Sequence, residues 1–134
     1  MKTPEWVLRE TVVAVHEQLL AAFGGATGIR DEGLLESALA RPKNVFAYGR
    51  SATVFELAAN SGFGLVKNHA FVDGNKRIGF TVAILFLEVN GYTFTATEAD
   101  ATVRTLALAA GEMGEGEYAA WLKAHSRRAR RSRR

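Results

Sequence analysis

Apolar residues recur at helical spacing along most of this chain, and the breaks in that spacing mark where its elements end. Thr3-Pro4 reads as an N-cap with proline at the first helical position, and Val12, His16, Leu19, Leu20 and Phe23 follow on one stripe. The first helix is therefore expected to run from there to Gly24-Gly25, with His16 a packing residue on its apolar face. Residues 28–42 predict a loop and a short helix, capped near Asp31 and stopped before Pro42. From Asn44 to Ser51 glycine, asparagine and aromatic residues follow no period, which predicts a surface loop or flap positioned to cover a site. Thr53 to Asn68 resumes the helical period and delivers His69 at its end. Asn75 to Asn90 is apolar on all sides through Ile78–Leu87, the pattern of a buried central helix. Thr97 opens a further helix with an acidic capping-box arrangement, running to about Ala110, and a last helix spans about Glu117 to His125. The alternation at Tyr92-Thr-Phe-Thr allows one short extended piece, with no visible partner. The fold class is all-α: a compact single-domain helical bundle with a buried central helix, and Trp6, Phe23 and Trp121 in or over its core.

Length agrees with one domain, since 134 residues at 48% hydrophobic content bury one core but not two of ordinary size. Charge changes the picture at one end. Ser126 to Arg134 holds six of the 17 basic residues, so the remainder carries eleven basic against 14 acidic side chains and is net negative. We divide the chain into a helical domain, residues 1–126, and an arginine-rich tail, residues 127–134, expected to be disordered and solvated. Such a tail supports at most a weak, salt-sensitive, sequence-independent contact with nucleic acid. The longest apolar run falls short of the roughly 20 residues that cross a bilayer, and the N-terminus lacks a secretory pattern. No membrane contact and a cytoplasmic location are expected. Zero cysteines exclude disulfides, thiolate catalysis and sulfur-bound zinc.

The chemistry-bearing types concentrate in His69-Ala-Phe-Val-Asp-Gly-Asn-Lys-Arg77, between one helix end and the start of the core helix. Free N–H groups at that start, with Gly74 permitting close approach, form an anion-binding nest, and Lys76 and Arg77 add positive charge. Asp73 offers a hard oxygen for magnesium, which binds through one or two carboxylates plus substrate phosphates. His69 offers a base near neutral pH. Together these types suit phosphoryl chemistry on a hydroxyl acceptor. The same residues also read as an ordinary turn, an ordinary basic surface and a helix-terminal histidine, and the residue types alone leave both readings standing.

The segment resembles the Fic-family motif His-x-Phe-x-Asp/Glu-Gly-Asn-x-Arg at every defined position. Phe23-Gly-Gly, Gly28-Ile-Arg-Asp, Gly33 to Pro42 and Phe86-Leu-Glu-Val-Asn-Gly-Tyr92 are similar to the death-on-curing (Doc) toxin branch, so the likeness spans about residues 5 to 92. The resemblance implies a compact helical enzyme that uses ATP and Mg2+ and is neutralised by a cognate antitoxin. It makes His69 the base that deprotonates a target hydroxyl, Phe71 an apolar anchor for the loop, and Asp73 the magnesium ligand. Gly74, Asn75 and Lys76 become the phosphate nest, with side-chain contacts from Asn75, Lys76 and Arg77. Nucleotidyl-transferring Fic enzymes typically continue Gly-Asn-Gly-Arg-x-x-Arg, where this chain has Lys76 and Phe80. Doc-type enzymes share both departures and act as kinases, passing the γ-phosphate to a Ser or Thr hydroxyl of a protein, a translation elongation factor being the implied class. Gly74 instead follows the general Fic pattern, which leaves AMP transfer as the alternative. A non-catalytic module that binds anions or nucleic acid is the third reading. The self-inhibiting Ser/Thr-x-x-x-Glu-Gly/Asn helix of some Fic proteins is missing, because Glu32-Gly33 and Glu115-Gly116 are preceded at that spacing by Gly28 and Gly111. Arg30, Asp31 and Glu36 stay outside the expected site, as does Lys67.

Overall fold

The computed structural model describes residues 2–49 and 51–129. Their elements are α1 (Arg9–Phe23), α2 (Glu32–Tyr48), α3 (Val54–Asn68), α4 (Asn75–Val89), β1 (Tyr92–Phe94), α5 (Glu98–Ala110), α6 (Glu115–Ala124) and β2 (Ser126–Arg128). The chain is an all-α bundle with one small antiparallel ribbon, and α3 lies at its centre against α2, α4 and α6. Among the described residues no helix is long and apolar enough to cross a membrane.

Local chemistry starts several helices where the sequence predicts. Asp31 accepts from the Leu34 N–H to cap α2, Thr53 and Glu56 close a reciprocal capping box on α3, and Thr97 accepts from the Asp100 N–H on α5. Asp100 does not return that bond. Its carboxylate accepts from the Trp121 indole at 2.8 Å, tying α5 to α6, and this bond, then Arg104, lowers its pKa.

Two cores flank α3 and α4. One gathers Phe86, Leu87, Leu108, Tyr118, Trp121 and Leu122 around α6, with Trp6, Phe55 and Phe94 packed on its edges. The other lies beneath the polar end of α4 and consists of Val12, Leu35, Ala38, Leu65, Ala70, Phe71, Ile78 and Val82. Between them α3 and α4 touch through glycines. A β-carbon on Gly79 would stand 2.5 Å from Val66 Cγ2 and 2.9 Å from the Gly62 carbonyl oxygen, and one on Gly62 would stand 3.0 Å from the Gly79 carbonyl oxygen. Only glycine permits that approach.

Four expectations are corrected. Helix α1 begins at Arg9, not at Pro4, because Asn90 captures Glu5 in extended form: its side chain accepts from the Glu5 N–H at 2.8 Å and donates to the Glu5 carbonyl at 2.9 Å. Helix α2 does not stop before Pro42. It runs through to Tyr48 and absorbs most of the expected flap at 44–51, because Pro42 is buried and Phe46 packs edge-on against Trp6 at 5.9 Å between centroids. Packing there outweighs the one bond that proline cannot make. The extended piece at Tyr92–Phe94 has a partner, β2, in register Tyr92 to Arg128. Its partner strand is the beginning of the arginine-rich end, where Arg128 lies 5.4 Å over the Tyr92 ring. The remainder of the expected tail, residues 130–134, lies outside the described residues. Finally, Phe23 is 57% exposed and belongs to no core.

Candidate active site

Helix α3 ends at Asn68, and His69 follows in the left-handed region at φ 54°, ψ 49°, the one non-glycine residue with positive φ among those described. An L side chain there costs about 1–2 kcal/mol, so neighbouring groups must hold it. They are supplied by residues 28–31. Arg30 Nε donates to the His69 carbonyl at 2.7 Å and Nη2 to the Asn68 carbonyl at 3.1 Å. The Arg30 and Asp31 N–H groups both donate to Ala70 O, the Val72 N–H donates to Gly28 O, and Ile29 pairs with Phe71 as an antiparallel bridge. The Asn68 amide donates to Leu34 O, so the end of α3 is fastened to the start of α2. The His69 side chain is exposed to the cavity, and no hydrogen bond to its ring is found among the described residues.

Beyond His69 the loop turns inward. Phe71 is buried at 1% exposure and stacks on the buried His16 ring at 3.8 Å. His16 Nε2 lies 2.8 Å from the Asp73 carbonyl; a carbonyl only accepts, so this nitrogen carries the hydrogen. His16 is thus the packing histidine the sequence suggests, but what it packs and holds is this loop. Asn75 accepts from the Phe71 N–H and donates to the Phe71 carbonyl, both at 3.0 Å. Its side chain closes the loop from within, and its backbone N–H belongs to the first turn of α4.

Asp73 turns its carboxylate outward. Oδ2 accepts from the Ala26 N–H and Oδ1 from the Gly74 N–H, and these bonds, with His69 and His16 nearby, hold the carboxyl below its ordinary range. Gly74, at φ 76°, ψ 18°, is the N-cap of α4 and supplies no side chain to it. The first-turn N–H groups of α4 consequently point at the cavity without a side-chain cap, the arrangement that attracts anions. Lys76 and Arg77 are exposed beside them, and the Arg77 guanidinium lies 3.9 Å over the Phe23 ring.

These groups share one cavity of about 670 Å³, lined by His69, Asp73, Gly74, Asn75, Lys76 and Arg77 on one wall. Its opposite wall is α5, through Glu98, Thr102, Thr105 and Leu106, with Phe80 between. Sequence reading brings the first wall together but misses the second, because threonines and a leucine on an ordinary helix carry no chemical signature. It also misses Arg30 and the use of His16. One signal was present: α3 ends without the glycine that usually occupies a left-handed cap, so its last carbonyls needed donors from elsewhere. Phe23, expected in the core, is instead the shelf for Arg77. Lys67 stays out of the site, bonding the Ala109 carbonyl at 3.1 Å.

The Fic/DOC family model matches residues 6–87, from the segment before α1 through most of α4. Toxin Doc of Mycolicibacterium smegmatis is 39% identical over 93 residues, covering 69% of this chain and 69% of that protein. Protein kinase doc of Escherichia phage P1 is 34% identical over 96 residues, covering 70% of this chain and 76% of that protein. The matched family span takes in the motif wall of the cavity and stops short of α5.

Proposed function

The chain belongs to the Fic/DOC family, and from that premise we propose that it is a toxin-type protein kinase that moves the γ-phosphate of ATP to a Ser or Thr hydroxyl of a protein target. The observation that carries the reading is one cavity holding an unencumbered imidazole, an uncapped helix start with two cations, and a carboxylate held anionic. In this reading the backbone N–H groups of Asn75, Lys76 and Arg77 bind phosphate oxygens, and Lys76 and Arg77 neutralise their charge. His69 takes the proton of the acceptor hydroxyl as its oxygen bonds to the γ-phosphorus. The bond to the bridging oxygen breaks and ADP leaves. Asp73 fits a share in a magnesium ion. Each of its oxygens accepts one N–H and keeps a further lone pair, and among the described residues no cluster of three or more His, Cys, Asp or Glu could cage a metal without help from the phosphates. Bound there, the ion would supply charge neutralisation on the transferring group.

Phe80 favours the kinase over AMP transfer. It sits in the cavity where nucleotidyl-transferring relatives typically carry a second arginine, and packs against Phe94 at 6.0 Å, so this position offers no second guanidinium to clamp an inner phosphate. A translation elongation factor is the target class, acting in the cytoplasm. Restraint comes from a separate antitoxin: neither Glu-Gly pair is preceded by the Ser or Thr of a self-inhibiting helix, Glu32 is paired with Arg9, and Glu115 is held by Arg41 at 2.7 Å to each oxygen and by Asn60 at 2.8 Å. The arginine-rich end adds only a weak, salt-sensitive contact with nucleic acid.

The test is bacterial lysate incubated with magnesium and ATP labelled at the α- or the γ-phosphate, using wild type and His69→Ala. Label from γ alone, lost by roughly 10²–10⁴-fold in His69→Ala, is expected for a general base. Label from α would replace this reading with AMP transfer, and γ-transfer that survives His69→Ala would remove the base assignment.

A further inference from the structure

Every backbone dihedral is a relation between two peptide planes. For His69, φ is set by the plane that ends in the Asn68 carbonyl and ψ by the plane that ends in the His69 carbonyl. One guanidinium holds both: Arg30 Nη2 reaches the first oxygen at 3.1 Å and Nε the second at 2.7 Å. The planar fork of arginine spans two acceptors at fixed geometry, which no other cation does. Arg30 is itself fixed, because its own N–H donates to Ala70 O at 2.7 Å and Ile29 beside it pairs with Phe71. The positive charge also lies at the C-terminus of α3, where the helix dipole favours it. Two of its three guanidinium nitrogens are committed to main-chain oxygens.

We propose that Arg30 is the positioning residue of this site: it locks the left-handed turn at His69 and so aims the imidazole into the cavity. It acts through His69 without touching the substrate. The proposal rests on the reading of His69 as the base, but its structural half is separable. Arg30 and His16 hold opposite ends of the loop, His16 the carbonyl of Asp73 and Arg30 that of His69. Loss of Arg30 therefore disturbs the base while leaving Asp73 and the phosphate nest in place.

The experiment compares wild type, Arg30→Gln, Arg30→Lys and His69→Ala by steady-state γ-phosphate transfer, together with the Cα chemical shift of His69, which reports left-handed backbone. Arg30→Gln is expected to lower kcat at least tenfold with KM for ATP within twofold, and to move the His69 Cα shift toward that of a mobile turn. Arg30→Lys, able to donate but not as a fork, should fall between. A merely structural cap would lower the melting temperature and leave kcat of the folded protein unchanged. Arg30→Gln with kcat within twofold and an unmoved His69 shift overturns the proposal. If the wild type transfers nothing, or His69→Ala transfers as well as wild type, the base assignment is what has failed. The shift then decides the clamp alone: unmoved, it overturns the role of Arg30; moved, it upholds it.

Discussion

The two cores of this protein are held by different means. Around α6, Phe86, Tyr118 and Trp121 fill space with aromatic rings, and Trp121 lies within 5.2–5.3 Å of both Phe94 and Tyr118. Under the motif loop the buried apolar side chains are aliphatic except for Phe71, and the loop is fixed by polar pins from Arg30, His16 and Asn75. Apolar burial is strong but non-directional, and a hydrogen bond is weak but sets an angle. Stability in this chain should therefore reside mainly in the aromatic core, and catalytic geometry in the pinned one. Changes in the two regions should have separable effects.

The sharpest separation is expected from Phe86→Ala. Phe86 is 1% exposed and packs on Trp6 at 5.8 Å, so its loss should cost about 3–5 kcal/mol in urea unfolding while transfer per folded molecule stays at the wild-type level. A fall in transfer by the folded fraction would show that the cores are coupled. Next in size is a pH effect at Tyr118, whose pKa burial pushes up to about 12, a bond with the Thr105 hydroxyl at 2.9 Å opposing the rise. The folded state favours the un-ionised phenol, so this contribution is fully present below the ordinary value of 10.0 and is lost as pH rises toward 12. The stability difference between wild type and Tyr118→Phe should shift by roughly 2 kcal/mol across that window. Urea midpoints measured from pH 9 to 12 would reveal it, and a constant difference would place Tyr118 in wetter surroundings than described. The smallest effect has the opposite sign. His69→Gly should abolish transfer and raise stability by roughly 1 kcal/mol, because glycine adopts the left-handed turn without strain. A drop in stability would mean that the Arg30 fork already offsets the strain.

How far the sequence discloses all this follows the same division. Caps at Asp31, Thr53 and Thr97 are local, between residues three apart, and are legible. So is the motif wall, because nine consecutive residues carry it. What escapes are long-range captures. Asn90 unwinds the expected start of α1 from 85 residues away, Arg30 holds His69 across 39, and α5 lends the cavity its far wall with side chains of no distinctive chemistry. Pro42 misleads for a related reason: its rule is local, whereas burial of Pro42 and the contact of Phe46 with Trp6 are not. The ribbon strand Ser-Arg-Arg has no apolar alternation by which to predict it.

The glycine contact between α3 and α4 bears on how such an enzyme can change. At about 1.5 Å of rise per residue, Gly62 lies roughly 10 Å along α3 from His69, and Gly79 lies roughly 7 Å along α4 from Gly74. The contact works as a fulcrum with His69 on one arm and the first turn of α4 on the other. One methyl group inserted there would splay both arms, and the displacement would grow with distance from the pivot. The spacing between His69 and the start of α4 therefore has no fine adjustment at the pivot itself. Descendants of this sequence that take a different nucleotide or acceptor should keep both glycines and vary α5, the wall that stands clear of the fulcrum.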